Sequence, residues 1–334
     1  MKRFAGICIV TGVLCVLLTV LSSVLIDPYN VFHVDRIRDN GVEPNKNYIK
    51  MSYLIKNPDR FDSLIVGSSH VGALHVEQMA DERCYNMTCP EALPCEQLEN
   101  LKTLIKNNVI PKRIYLGVDS WSYRGDPERH LKDKRTISYE TLLDKKNLYK
   151  NYIDPRNALF SLVSTMGHTK NPDFTQIFYD YGWMIGYDMQ SAYDWSKIDE
   201  YDSGVTNRLD ETIEEIGEYI NLCKDKGIEL VIFINPYCAE EFRKDLENGY
   251  KEFLEKLANL HPYYNFCGIN EYTVNHDLFI DPSHYNAYLG DEILGVLTGV
   301  GKADGDTGWG MYVTTDNIKK FFDVLIPEDM VSVH

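Results

Sequence analysis

Residues 4–26 run without a charged side chain, directly behind Lys2 and Arg3. Wound as a helix, such a stretch covers the hydrocarbon core of a bilayer, which takes about 20 residues. The basic pair favours a cytoplasmic N-terminus and leaves everything after Asp27 beyond the membrane. A cleaved signal peptide is the competing reading. Its apolar part runs only about 7–15 residues, and Leu21-Ser22-Ser23 is a poor cleavage site. The expectation is an uncleaved single-pass anchor over 1–26 in the cell membrane, with an extracytoplasmic domain behind it.

No second apolar segment approaches that length, so roughly 300 residues remain for one large core or a core plus an insertion. Fifty acidic against 34 basic side chains give a net charge of −16. That surface opposes nucleic acid and anionic lipid headgroups, and makes a neutral glycan a more comfortable partner than an anionic polymer, unless a local basic groove overrides the average. Six cysteines follow the anchor: Cys84, Cys89, Cys95, Cys223, Cys238 and Cys267. An oxidising compartment permits disulfides among them, and Cys89 and Cys95 are close enough to bridge a short loop, but the sequence cannot choose a pairing. Neither Cys-x-x-Cys nor a helical His pair around an acid occurs, so no metal is expected, and no cofactor.

Residues 27–60, with Pro28, Pro44 and Pro58, read as a polar connector. From 61 to 300 strands alternate with helices. Strands are expected at 64–66, 84–87, 114–118, Glu229–Ile234 and 265–268. Helical spacing is carried by Leu98, Leu101, Leu104 and Ile105, and by Leu209, Ile213, Ile216, Ile220 and Cys223. One more helix is expected through Phe242, Leu246, Phe253, Leu254 and Leu257, and a closing helix over 288–297. This alternation implies a three-layer α/β sandwich around a parallel sheet of the flavodoxin type. Its crevice lies beyond the C-terminal strand ends, where Ser69, Asp119 and Asn235 fall. Residues 120–207 interrupt the rhythm as an aromatic-rich insertion, including Tyr149, Tyr152, Phe160, Phe174, Phe178, Tyr187 and Trp195. It reads either as a lid whose rings stack on sugars or as a piece with its own small aromatic core. The tail, 301–334, reads as a loop and a packing helix through Ile318, Phe321, Phe322 and Leu325. Asn86-Met87-Thr88 matches a glycosylation sequon only formally, at a strand end.

Two short blocks carry chemistry. Gly67-Ser68-Ser69-His70 closes the apolar strand Ser63-Leu64-Ile65-Val66, and a serine on the turn leaving a strand can expose its hydroxyl. Far downstream, Asp281-Pro282-Ser283-His284-Tyr285-Asn286 sets an acid and a histidine three residues apart. A serine hydroxyl is a weak nucleophile until an imidazole takes its proton and a carboxylate orients that imidazole. All three parts occur, in the order Ser69, Asp281, His284. The Gly-x-Ser-x-Gly elbow is excluded, because Val71 stands where its second glycine belongs. Gly117-Val118-Asp119-Ser120 also follows an apolar strand, which makes Ser120 the second candidate nucleophile.

These blocks resemble the SGNH (GDSL-like) hydrolase and acyltransferase superfamily. The chain looks most similar to its membrane-anchored branch, found with alginate O-acetylation and teichoic acid D-alanylation machinery. The likeness rests on the anchor, on Asp27-Pro28-Tyr29-Asn30, on Gly67-Ser68-Ser69, and on His284-Tyr285-Asn286 with Gly290. It spans roughly residues 1–75 and 275–295. It implies an ester-cleaving or O-acyl-transferring serine enzyme acting on a cell-surface polysaccharide or glycan, beside a multispanning membrane acyltransferase. The oxyanion donors implied are the Ser69 N–H and, at the third block, Asp119 or Ser120. The sequence departs from the superfamily here: the second-block glycine is missing, and an aspartate stands where the third block has asparagine. The alternative is a catalytically weak or inactive scaffold that binds glycan or positions the acyl donor.

Overall fold

The computed structural model describes residues 1–80, 82–168, 170–187, 191–200 and 207–325. Positions 201–206 of the expected insertion and 326–334 of the expected tail therefore lie outside the described residues. The chain divides into two compact units, one formed by Met1–Lys56 with Glu128–Tyr179, the other by Asn57–Pro127 with the chain from Asp180 onward.

In the first unit the helix Lys2–Ile26 is long and apolar enough to cross a membrane. It stops where Asp27 turns left-handed at φ 47°. The Asp27 carboxylate then accepts the N–H groups of Val31 (2.9 Å), Phe32 (2.9 Å) and His33 (2.8 Å). Three donors on one carboxylate make Asp27-Pro28-Tyr29-Asn30 a helix stop. The segment expected as a connector contains a helix, Lys46–Lys56, that buries Ile49, Met51 and Leu54. Asn45, just ahead of it, donates to the Ile137 carbonyl (3.0 Å) and the Tyr152 hydroxyl (2.8 Å). Tyr152 joins Val31, Ile137 and Leu142 in one small core, and Phe178 joins Ile37 and Ile49 in another. For these rings the aromatic enrichment is packing.

The second unit is α/β, built on a mostly parallel sheet. Its strands are β1 (Ser63–Val66), β2 (Cys84–Asn86), β3 (Arg113–Val118), β4 (Glu229–Ile234) and β5 (Tyr263–Asn265). A two-stranded hairpin follows, β6 (Phe279–Asp281) with β7 (His284–Tyr285), and then β8 (Met311–Val313). The sheet order is β2-β1-β3-β4-β5-β8, all neighbours parallel except β5 and β8. The order reverses between β1 and β3, the switch point beyond whose C-terminal strand ends open α/β sheets usually place their ligands. β1 is buried throughout and β3 nearly so, which matches their continuous apolar runs.

Several boundaries differ from expectation for local reasons. The last parallel strand is Tyr263–Asn265, earlier than 265–268, because the Asn265 side chain turns to the carbonyls of Cys267 (2.9 Å) and Gly308 (3.0 Å) and ends the strand. The single helix expected through Phe242 and Leu257 is two, Ala239–Glu247 and Tyr250–Leu260, broken where Gly249 takes φ 89°. The tail adds β8 antiparallel to β5 before its helix Ile318–Leu325. All eight cysteines are free, including Cys89 and Cys95. Burial pushes the Cys84, Cys95 and Cys223 thiols up to about 12, so they stay protonated at neutral pH.

Candidate active site

β1 delivers the chain into a tight 3-10 turn, Ser69–Ala73. The turn sits close against the strand ends because its Val71 side chain fills the gap between two glycines. A Cβ on Gly67 or on Gly117 would each come within 2.5 Å of Val71 Cγ1. From the β2 side, Asn86 Nδ2 donates to the carbonyls of Val71 (2.7 Å) and Leu74 (3.1 Å), and the Thr88 hydroxyl donates to the Ser68 carbonyl (2.8 Å). The buried Asn86 is thus a brace for the turn, which removes the sequon reading. Ser69 is half-buried while its neighbours Ser68 and His70 are buried.

The downstream block is the β6–β7 hairpin, in which Asp281 and His284 are register partners. The Asp281 carboxylate accepts the Ser283 N–H (2.9 Å), the Ser283 hydroxyl (3.0 Å) and the His284 N–H (3.0 Å). Asn286 then caps the helix Ala287–Leu297, accepting the Leu289 N–H at 3.2 Å. That helix packs directly on the serine turn: a Cβ on Gly290 would lie 2.5 Å from the Ala73 carbonyl oxygen. Backbone meets backbone there, which locks the two blocks together.

The result is a three-member chain. Ser69 Oγ lies 2.8 Å from His284 Nε2, and His284 Nδ1 lies 2.9 Å from Asp281 Oδ2. Burial opposes the charge on Asp281, but its hydrogen bonds from His284 and Ser283 and the nearby imidazole outweigh that and hold it down to about 2. An ionised Asp281 keeps the proton on Nδ1 and leaves Nε2 to accept from the Ser69 hydroxyl. Such an arrangement can deprotonate the hydroxyl as it attacks a carbonyl.

The other two expected residues do not serve as oxyanion donors. Asp119 is an acceptor on every side: from His70 Nδ1 (2.7 Å), from Asn235 Nδ2 (3.0 Å) and from the Trp121 N–H (3.0 Å). The Ser120 hydroxyl is buried and donates to the Asp245 carboxylate, which also pairs with Arg124. A hydroxyl committed to a buried carboxylate offers neither an oxyanion donor nor a nucleophile. The Ser69 N–H stands at the head of a turn, where leading amides have no partner within the turn.

The structure adds residues that sequence reasoning left without a role. His70 is 6% exposed, its ring 4.8 Å from that of His284 and edge-on to Tyr237. Burial works against a charged imidazole, yet the attraction and hydrogen bond of Asp119 prevail, raising His70 and lowering Asp119. The His70 ring is held through Nδ1, which lies 2.7 Å from Asp119 Oδ2 and 3.5 Å from the Tyr237 hydroxyl. Tyr285 donates to Asn235 Oδ1 (3.1 Å), turning the amide so that its Nδ2 faces Asp119. Tyr187, from the insertion, donates to the Ser69 carbonyl (3.2 Å) and sets its ring edge-on to His284. The sequence placed Asp119 and Asn235 at the strand ends and His70 beside Ser69, but a His–Asp pair 49 residues apart leaves no local pattern to join them. Among the described residues no cluster of His, Cys, Asp and Glu is arranged to hold a metal ion.

No protein-family model matches this chain, and no curated protein matches it.

Proposed function

We propose that this chain is a membrane-anchored, extracytoplasmic serine esterase or O-acyltransferase of the SGNH type, acting on acyl esters of a cell-surface polysaccharide or glycan. The observation that carries the reading is the Ser69–His284–Asp281 chain at 2.8 and 2.9 Å, assembled from opposite ends of the domain. The strand order and the position of Ser69 after β1 are compatible with that superfamily, and the helix Lys2–Ile26 with the anchor.

In this mechanism the Ser69 oxygen bonds to the ester carbonyl carbon while its proton passes to His284 Nε2. The carbonyl π bond opens to an oxyanion. Collapse of that intermediate breaks the ester C–O bond, and the leaving alkoxide takes the proton from His284. Water or a sugar hydroxyl then attacks the acyl-Ser69 ester, again losing its proton to His284, which returns it to Ser69. The Ser69 N–H and the Nε2–H of a protonated His70 supply the oxyanion donors. His70, held by Asp119, thereby replaces the missing third-block asparagine. A multispanning acyltransferase would load the acyl group if transfer rather than hydrolysis is the physiological outcome.

The alternative, a non-catalytic scaffold, is separated by one comparison. Turnover of an activated acyl ester by the full chain in detergent should exceed that of Ser69→Ala by about 10³-fold or more. Equal turnover by the two removes the catalytic reading.

A further inference from the structure

The helix Pro155–Gly167 in the first unit is built inside out. Ala158 and Ser161 are buried at 1% and 0%, while Leu159, Phe160, Leu162, Val163 and Met166 are 51–83% exposed. A helix on an aqueous surface does the reverse, turning large apolar side chains to the core. Small residues inside and large apolar ones outside is the pattern of helices surrounded by lipid.

Its neighbour explains the pattern. This helix packs on the helix Lys2–Ile26. Residues 2–18 of that helix are exposed; burial begins at Thr19, and Ser23 is fully buried. A helix of this length rises about 37 Å, against about 30 Å of hydrocarbon. The excess of about 7 Å is a little over one turn, so the C-terminal end of the helix falls at the boundary between acyl chains and headgroups, and the Pro155–Gly167 helix falls beside it. Charge agrees. Residues 128–179 carry nine basic and six acidic side chains, a local excess of three positive charges within a chain of net −16. Lys145, Lys146 and Lys150 precede the helix and Arg156 lies in its first turn, as suits anionic headgroups.

We propose that the Pro155–Gly167 helix lies in the outer membrane interface beside the anchor, with Leu159, Phe160, Leu162, Val163 and Met166 immersed among lipid acyl chains. This rests on the anchor reading. The occupant is lipid because the exposed face adjoins the anchor, whose own exposed face (Val13, Leu14, Leu17, Leu18) is apolar in the same way. The first unit is then fixed to the bilayer at two places, where one spanning helix would leave it free to swivel.

The test uses the full chain in phosphatidylcholine–phosphatidylglycerol vesicles containing lipids brominated on their acyl chains. An environment-sensitive fluorescent amino acid replaces, one at a time, Phe160, Val13 and the exposed Tyr288. Bromine quenching at position 160 should approach that at 13 and exceed that at 288 by at least about twofold. Quenching at 13 but not at 160, with iodide reaching 160 freely, overturns the interfacial helix and leaves the anchor standing. Quenching at neither position removes the anchor itself. Protection of 160 from iodide without bromine quenching overturns the lipid assignment in favour of a protein neighbour. Phe160 and Tyr288 are 61% and 73% exposed, so these replacements leave the core undisturbed.

Discussion

The imidazole of His70 lies 4.8 Å from that of His284, centroid to centroid, and the two rings face different carboxylates. Asp281 serves the ring that meets Ser69; Asp119 serves the ring beside it. In the proposed mechanism one histidine moves a proton and the other holds one.

His70→Gln should therefore lower kcat by about 10²–10³-fold, the usual loss for one oxyanion donor, with little change in KM. The groups facing His70 are Asp119, Asp281, Asp245, His284 and Tyr237; burial keeps Tyr237 neutral by pushing it well above its ordinary value. His70 is raised in the folded state, so its charge and the stability it adds are complete below its unfolded value of about 6.5 and disappear as pH rises through the folded one. Wild-type kcat should fall on the alkaline side, and His70→Gln should flatten that limb. A variant that keeps both the rate and the limb would assign His70 to packing alone.

Asp281→Asn should leave the fold intact and reduce kcat by about 10²–10⁴-fold, because an amide no longer selects the tautomer with the proton on Nδ1. Wild-type Asp281 is held down to about 2. Its contribution to stability is present above the unfolded value of about 3.9 and is lost as pH falls toward the folded one. Thermal melts between pH 5 and pH 2 should show wild type losing stability over this range faster than Asp281→Asn.

Gly290→Ala tests whether the two blocks are locked through backbone contact. The new methyl would sit 2.5 Å from the Ala73 carbonyl oxygen, and neither side is a flexible side chain. Overpacking of this kind costs about 1–3 kcal/mol. The melting temperature and kcat should drop together. An unchanged kcat would show that the serine turn tolerates displacement.

Asn86→Ala removes the amide that holds the Val71 and Leu74 carbonyls, both buried. Leaving such groups unsatisfied costs about 1–3 kcal/mol, so denaturant melts should shift by that amount. Ser120→Ala, by contrast, should keep ester turnover, since its hydroxyl is committed to Asp245.

The parts of this fold legible in the sequence were those with local causes. Continuous apolar runs announced β1, β3 and β4, and helical spacing from Leu209 to Cys223 announced the helix Leu209–Lys226. The Asp281–His284 spacing was legible because one hairpin carries both residues. What escaped was long-range. β8 has only three residues and exists because β5 offers it an open edge. Asp119 looked like a failed donor, since nothing near it in sequence shows that His70 and Asn235 converge on its carboxylate. The Lys46–Lys56 helix was hidden in a proline-flanked polar stretch, and its buried face is matched by chain over 80 residues away.

The central claim is that His284 activates Ser69. A fluorophosphonate probe, which phosphorylates activated serines, applied to the full chain and followed by peptide mass spectrometry, tests it directly. The account predicts a single modified serine at position 69, with labelling slowed by about 10²-fold or more in His284→Gln. Labelling of Ser69 at the same rate in both proteins, or of a different serine, would contradict it.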